Sequence, residues 1–355
     1  MILNIWEYTG GDFVKQKIID YATSVIWIKR FQAAGKFELY IRATRELFEL
    51  FTRENIFITR DDSDGAMCVD KIELKTDALN GDYLIISGKS AESLIGRRII
   101  PVQTNLSGTA ENAIYTLLDD NAIIPTDTAR ALGPFVIGQT HEWAETIDQQ
   151  ITGKNLLDAI ADICVTYNYG FKVDFSLGVF EFTLYKGTDR SFDQSENTFV
   201  IFAPEFENLG NTDYSRDVST YFNDVYVAGE GEGSERVIVN VRTNGKSGLN
   251  LREKWIDARI ISRKTEGGTL NPTQYNAVLR QKGNEEIEIL RETTKFSGEI
   301  LPHNDYTYGV DYNLGDKIAV KNEYGITGTA VISEITEVED ATGYSVYPTL
   351  SEWSV

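Results

Sequence analysis

Apolar and polar side chains alternate with a period of two residues in several parts of the chain, and this alternation predicts β-strands. Phe37, Leu39 and Ile41 alternate with more polar neighbours, so a strand here would have one apolar face. Other apolar or β-branched runs lie at residues 24–31, 67–76, 82–88, 171–175, 179–185, 225–228, 236–241, 317–320, 327–338 and 344–350. The chain is therefore predicted to be rich in β-sheet.

A glycine-rich segment, Gly229-Glu-Gly-Glu-Gly233, separates two of these runs. A phosphate-binding loop is followed by a helix whose N–H groups hold the anion, whereas strand residues follow these glycines. Glu230, Glu232 and Glu235 would also repel a phosphate. We interpret the segment as the acidic, solvated turn of an antiparallel hairpin.

Apolar residues at helical spacing predict a smaller number of helices. Two of these are short and cover residues 43–52 and 89–98. Thr109 and Thr152 precede two further apolar patterns, where threonine is a suitable N-cap residue. Gly170 follows the second pattern and predicts its end.

The longest predicted helix covers residues 272–294. Asn271, Pro272 and Gln274 occupy the N-cap, first and third positions, a combination typical of a helix start. Gly283 is expected to weaken or kink this helix. The predicted buried side carries Tyr275, Val278, Leu279, Ile287 and Leu290.

The order of these elements is strands, helices, strands, a long helix and strands. It is not a βαβ alternation, so a doubly wound nucleotide-binding fold is disfavoured. The pattern favours an α+β chain with two β-rich lobes and a helical insertion. We predict an N-terminal β-rich lobe at residues 1–105, a helical and hairpin insertion at 106–205, and a C-terminal β-rich lobe at 206–355 that contains the long helix.

The length and composition of the chain limit the number of domains and the classes of partner. The 355 residues are 42% apolar, which is enough for two or three domains with sizeable cores. The formal net charge is −20, so the general surface is a poor binder of nucleic acid. A signal peptide and a membrane-spanning segment are not expected, because the N-terminus lacks a basic region and no apolar window is long enough. Synthesis in the cytoplasm follows as an expectation.

Few residues suggest chemistry. His141 lies near Glu142 and Glu145, but a catalytic pair also needs a nucleophile or metal, so a surface histidine is the favoured interpretation. His303 receives the same interpretation. Buried free thiols are the default interpretation of Cys68 and Cys164, and a disulfide between them stays open as an alternative. We predict no catalytic, cofactor-binding or metal-binding residues, and no cofactor.

The acidic turn at residues 61–65 invites comparison with a calcium-binding EF-hand loop. Counted back from Gly65, such a loop needs Asp at position 60 and Glu at position 71. Arg60 and Lys71 occupy these positions, so the turn is predicted to join two strands of a hairpin.

Several segments carry a family resemblance across nearly the whole chain. They are SVIWIKRF (24–31), GKFELYI (35–41), NGDYLIISGKSAESLIGRR (80–98), ETIDQQITGKNLLDAI (145–160), LYKGTDRS (184–191), VAGEGEG (227–233), SGL (247–249), WIDAR (255–259) and LGDKIAVKNEYGI (314–326). In this order the chain resembles the Gp37-like tail proteins of siphophages. That family is similar to the hub proteins at the distal end of phage tails and of phage-tail-like bacteriocins.

The resemblance implies two barrel-like lobes similar to tail-tube proteins, arranged as a homotrimer that closes the tail tube. It implies contacts with the distal tail protein, the tail tube, the tape measure protein and receptor-binding or fibre proteins, in a phage virion or a tailocin particle. The leading hypothesis is therefore a structural hub without enzymatic activity. Two alternatives remain: a receptor- or carbohydrate-binding module that uses exposed aromatic residues, and a cell-wall- or polysaccharide-degrading enzyme that uses Asp61, Asp64 or Glu232.

Overall fold

The computed structural model describes residues 1–76, 81–243, 245–265, 268–301 and 306–351. The chain forms two compact units. The first unit contains Met1–Thr212 and Gly298–Val355, and the second contains Asp213–Ser297.

Strands predominate among the described residues, as the sequence predicts. They are β1 (Leu3–Thr9), β2 (Asp12–Ile19), β3 (Ser24–Arg30), β4 (Lys36–Arg42), β5 (Ile56–Arg60), β6 (Ser63–Lys75), β7 (Tyr83–Ser90), β8 (Thr104–Thr109), β9 (Phe135–Ile137), β10 (Thr146–Ile151), β11 (Gly170–Ser176), β12 (Val179–Tyr185), β13 (Asp189–Arg190), β14 (Ile201–Phe202), β15 (Leu209–Asp217), β16 (Asp224–Ala228), β17 (Ile238–Arg242), β18 (Glu253–Asp257), β19 (Lys264–Thr265), β20 (Gly268–Thr269), β21 (Thr293–Ile300), β22 (Lys317–Lys321), β23 (Thr327–Asp340) and β24 (Gly343–Leu350).

Four α-helices lie between the strands: α1 (Arg45–Phe51), α2 (Ala110–Leu118), α3 (Leu156–Tyr167) and α4 (Pro272–Ile289). The predicted helix at residues 89–98 is a 3₁₀ helix, Ala91–Arg97. The α+β, β-rich class predicted from the sequence is confirmed.

A 15-stranded sheet organises the first unit. Its main path runs β13-β22-β23-β3-β4-β7-β6-β11-β12-β9, and β1, β2, β5, β14 and β24 pair beside that path. Among the described strands this pairing does not close on itself, and no closed barrel is detected. Phe37, Leu39 and Ile41 of β4 are buried, so the predicted apolar face is confirmed.

The N-caps of the first unit follow the predictions in one helix and differ in another. Thr109 caps α2 by accepting a hydrogen bond from the N–H of Asn112. Asn155, and not Thr152, caps α3, because its side chain accepts from two N–H groups of the first turn. Asn168 ends α3 in a left-handed conformation, which asparagine tolerates, so the predicted stop at Gly170 is wrong by two residues.

The second unit contains the predicted glycine-turn hairpin. β16 pairs antiparallel with β17 and parallel with β18, and α4 packs on this three-stranded sheet. Gly283 is buried, and a Cβ atom there would lie 2.6 Å from Val241. The glycine therefore allows close packing of helix on sheet, and α4 continues through it as one helix.

The capping box predicted for α4 is confirmed. Asn271 accepts from the N–H of Gln274, whose side chain accepts from the N–H of Asn271. The helix ends at Ile289 and not at residue 294, because β21 begins at Thr293. Tyr275 and Leu279 are buried as predicted, whereas the prediction for Val278 is wrong because that side chain is exposed.

Replacing Asn271 by alanine should destabilise the second unit by about 1 kcal/mol, because the first-turn N–H of Gln274 loses its side-chain acceptor. Hydrogen exchange of the α4 amides measures this loss. Asn284→Ala is the matched control, since Asn284 is an exposed interior position of the same helix where alanine is favourable. Equal exchange in both variants would show that the cap contributes nothing.

Candidate functional site

The first unit contains a cavity of about 690 Å³ between β3, β6, β11 and the loop at residues 308–314. Its walls combine aromatic rings with a set of charged side chains. The charged residues of the lining are Lys29, Arg30, Asp62, Asp64, Glu92, Lys172 and Asp174. A concave site of this size with polar groups in its wall is the natural place to look for chemistry.

Most of these charges are held in ion pairs at the wall. Lys172 lies 2.5 Å from Asp174, Arg30 donates to Glu334 over 2.6 Å, and Lys29 lies 2.9 Å from Glu337. Paired charges fix the shape of the wall, and they are less free to act as a general acid or base.

The ion pair of Arg60 and Glu337 lies behind this wall. Both side chains are 2% exposed and their closest atoms are 2.5 Å apart. Tyr344 donates a hydrogen bond to Glu337, and the Arg60 guanidinium also binds Asp62 through two hydrogen bonds. Burial acts to raise the pKa of Glu337, but the charges of Lys29 and Arg60 outweigh burial and lower it. The pair therefore joins β5 to β23 as two full charges.

Sequence reasoning missed this pair. Glu337 lies two residues after the buried Ile335, at a position of β23 that faces inward. A carboxylate at a core-facing position of an alternating strand was the available signal, because a buried charge needs a partner.

Glu92 is the cavity acid whose pKa is raised, and burial is the cause. Its Oε1 accepts a hydrogen bond from the N–H of Val173 over 2.9 Å. Its Oε2 is enclosed and lacks a partner within the described part of the chain. The surroundings of Glu92 therefore favour its neutral form over its charged form.

Glu92→Gln should gain stability relative to the wild type as the pH rises. Folding raises the pKa of Glu92. The contribution of Glu92 to the free energy of unfolding is therefore fully favourable below the pKa of the unfolded chain, and it is lost as the pH rises through the pKa of the folded chain. Glutamine keeps the acceptor for Val173 and does not titrate. Urea denaturation of both proteins between pH 4 and pH 8 measures the difference.

The exposed substitution Glu54→Gln is the control for this experiment. A difference between wild type and Glu92→Gln that stays constant across the pH range would contradict a raised pKa for Glu92.

The three acids considered for enzymatic activity belong to two different units. Asp64 lines the cavity, and Asp61 accepts a hydrogen bond from Asn4 over 2.6 Å. Glu232 belongs to the second unit, where it precedes a short 3₁₀ helix. Asp62, which the sequence did not single out, is the neighbour that shares the cavity wall with Asp64.

The glycine segment uses its own N–H groups internally. Gly229 donates to the carbonyl of Val237, and Glu230 donates to the hydroxyl of Tyr275. A Cβ atom at Gly229 would lie 2.4 Å from that hydroxyl. The predicted hairpin turn is confirmed, and these donors are not directed toward an anion.

His141 stacks on Trp143 with ring centroids 4.5 Å apart. Its partner is the buried Glu111, which accepts from the His141 backbone N–H and lies 3.2 Å from Nδ1. The sequence pointed to Glu142 and Glu145 instead, because Glu111 is distant in the chain. His303 lies outside the described residues.

The predicted hairpin turn after Arg60 is confirmed, since β5 and β6 pair antiparallel. Cys68 and Cys164 are free and buried, which settles the question that the sequence left open. Burial raises the pKa of the Cys68 thiol to about 12. Within the described ranges, no group of three or more His, Cys, Asp or Glu side chains could hold a metal ion.

Segments that are far apart in the sequence meet around Phe31. A Cβ atom at Gly170 or at Gly315 would lie within 2.4 Å of the Phe31 ring, and Tyr185 packs edge-on against it. A Cβ atom at Gly187 would lie 1.8 Å from the carbonyl oxygen of Gly315. These glycines are therefore required for close approach of backbone and ring.

The buried carboxylate of Asp316 stabilises the contact between the segments that meet around Phe31. It accepts hydrogen bonds from the N–H groups of Thr188 and Asn313 and from Nε of Arg190. The segments 184–191 and 314–326, which carried the sequence resemblance, thus share one packing junction in the first unit.

The chain belongs to the family described as Siphovirus ReqiPepy6 Gp37-like protein, whose family model matches residues 2–350. No curated protein sequence matches the chain. Among the described residues, no helix has both the length and the apolar character that crossing a membrane requires.

Solved structures with a similar fold include tail proteins and a VgrG complex. The tail protein from Neisseria meningitidis MC58 is similar with a TM-score of 0.54 and 13% identity, over 99% of this chain and 96% of that chain. The prophage tail protein gp18 from Listeria monocytogenes EGD-e is similar with a TM-score of 0.53 and 11% identity, over 100% of this chain and 96% of that chain. The Francisella PdpA-VgrG complex is similar with a TM-score of 0.52 and 9% identity, over 99% of this chain and 57% of that chain.

Proposed function

We propose that this chain is the structural hub of a phage or tailocin tail tip, which closes the tail tube as a homotrimer. The observation that carries the proposal is the similarity to tail proteins over almost the full length of both chains. The family membership over residues 2–350 supports the same role.

The first unit has features suited to assembly. Strands β2 and β24 each pair with one neighbour, so each leaves one edge free in the described part of the chain. Open edges that neighbouring copies cover are a common feature of ring assemblies. We propose that residues 1–105 and 206–355 supply the two tube-like lobes of each copy and that residues 106–205 form the insertion between them.

The proposed partners follow from this position. The tail tube and the distal tail protein would contact one face of the ring, the tape measure protein its channel, and receptor-binding or fibre proteins its outside. We propose a non-enzymatic role, and the paired charges in the cavity wall support it.

Light scattering of the chain, purified alone and together with the other tail proteins, tests the proposal. The expected mass corresponds to three copies. Incubation of the same preparation with purified cell wall and polysaccharide should release no new sugar or peptide ends. Release that is lost in Glu92→Gln would instead identify an enzyme.

A further inference from the structure

The net negative charge of the chain resides in one of its two units, the first. Residues 213–297 contain 13 Lys and Arg and 13 Asp and Glu, so the second unit is neutral. The remaining residues contain 21 basic and 41 acidic side chains and carry the whole net charge of −20. A second unit without net charge can approach the first unit of another copy without long-range repulsion.

Residues 242–264 of the second unit, apart from residue 244, form what we call the basic surface. This segment contains seven basic and two acidic side chains. It also exposes three large apolar side chains: Leu249 is 102% exposed, Ile260 93% and Trp255 52%. Large apolar side chains with this much exposure are candidates for contact with a partner.

The side chains at the centre of the basic surface are preorganised. β18 pairs with β16 alone, so its outer edge is open among the described strands. The guanidinium of Arg236 lies 5.5 Å from the Trp255 ring and is fixed by Asp257 and by the carbonyl of Gly229. Tryptophan and arginine are both enriched among the residues that contribute most to protein interfaces.

The first unit carries a complementary segment, residues 192–207, which we call the acidic surface. It contains four acidic side chains and no basic one. Phe192, Phe199 and Phe206 are between 43% and 51% exposed. Asp193 and Glu205 bind lysines of β22, so the exposed Glu196 and Glu207 carry the remaining charge outward.

We infer that the basic surface of one copy binds the acidic surface of the next copy. A cyclic trimer needs such an arrangement, since each contact in the ring joins two different patches of the same chain. The two surfaces differ in sign of charge, both expose large apolar side chains, and they lie in different units. This inference rests on the proposed function, because it assigns the contact that closes the ring.

Cross-linking of single cysteines tests the contact. Chains carrying Leu249→Cys and chains carrying Phe206→Cys are purified, mixed and treated with a short bis-maleimide. The native thiols are buried and do not compete. The mixture should give a cross-linked pair, each chain alone should give none, and a chain with both substitutions should give products of up to three copies.

Leu177→Cys in place of Leu249→Cys is the matched control, because Leu177 is 101% exposed in the first unit.

If the wild-type chain self-associates and the mixture gives no cross-link, or position 249 links to itself, the inference is wrong and the proposed trimer stands. If the purified chain is monomeric, the double-cysteine chain is treated in assembled tails, where absence of cross-links likewise contradicts the inference. Tails that do not contain three copies overturn the proposed function itself.

A charge exchange tests the electrostatic part separately. Two double variants reverse the charge of one surface each: Lys246→Glu with Lys264→Glu, and Glu196→Lys with Glu207→Lys. Each should weaken self-association by about tenfold or more, because like charges then face each other. Combining all four substitutions should restore most of the affinity. Lys36→Glu with Lys89→Glu changes the net charge by the same amount at exposed positions of the first unit and should have little effect. A combined variant as weak as its parents would contradict the pairing.

Discussion

Arg60→Met should lower the free energy of unfolding of the first unit by about 3–5 kcal/mol, because it leaves the buried Glu337 short of a countercharge. Arg60 and Glu337 are both 2% exposed, so water cannot replace the lost partner. Lys29 and Tyr344 still contact Glu337 and are expected to keep the loss from being larger. Urea denaturation at neutral pH measures the change.

The matched control is Arg45→Met, which removes an arginine from the exposed pair with Glu49. Arg45 is 92% exposed, and an exposed pair of this kind contributes about 0.5 kcal/mol or less. The double variant Arg60→Met with Glu337→Leu should recover part of the loss, because neither buried charge is then left unpaired. A loss in Arg60→Met no larger than in Arg45→Met would show that the buried pair does not hold β5 to β23.

Gly187→Ala should be the most damaging single-methyl addition in the first unit. The new Cβ atom would lie 1.8 Å from the carbonyl oxygen of Gly315, and that oxygen belongs to backbone fixed by Asp316. Overpacking of this kind costs about 1–3 kcal/mol and occasionally more, and a clash with backbone belongs at the upper end. The yield of soluble protein and the urea midpoint both measure the effect.

Gly65→Ala is the matched control, because nothing lies within 4 Å of a Cβ atom there and the backbone is not left-handed. Its stability should equal or slightly exceed that of the wild type. Equal stability of the two alanine variants would mean that segments 184–191 and 314–326 do not meet as closely as the structure describes.

Local features of the fold could be predicted from the sequence. The capping box at Asn271, the Thr109 cap and the antiparallel β11–β12 pair depend on residues within a few positions of one another. The errors were also local. Thr152 was predicted as the cap of α3, whereas Asn155, three residues later and equally suitable by type, is the cap. Val278 fits the helical period but lies on the outer side of α4.

The candidate site could not be predicted, because its residues come from distant parts of the chain. Arg60 and Glu337 are 277 positions apart, and Glu92 meets Val173 across 81 positions. Asp64 was considered for its sequence neighbours, and its place in a wall of paired charges depends on β3 and β11. The unequal charge of the two units became visible only when the structure defined the boundaries at residues 213 and 297.

We propose that three copies of this chain form a ring at the tip of the tail. An electron cryo-microscopy map of the assembled tail tip, reconstructed without imposed symmetry, tests it most directly. We expect three copies around the tail axis, with residues 242–264 of each copy against residues 192–207 of the next. A map with this chain away from the axis, or present in one or six copies, would contradict the claim.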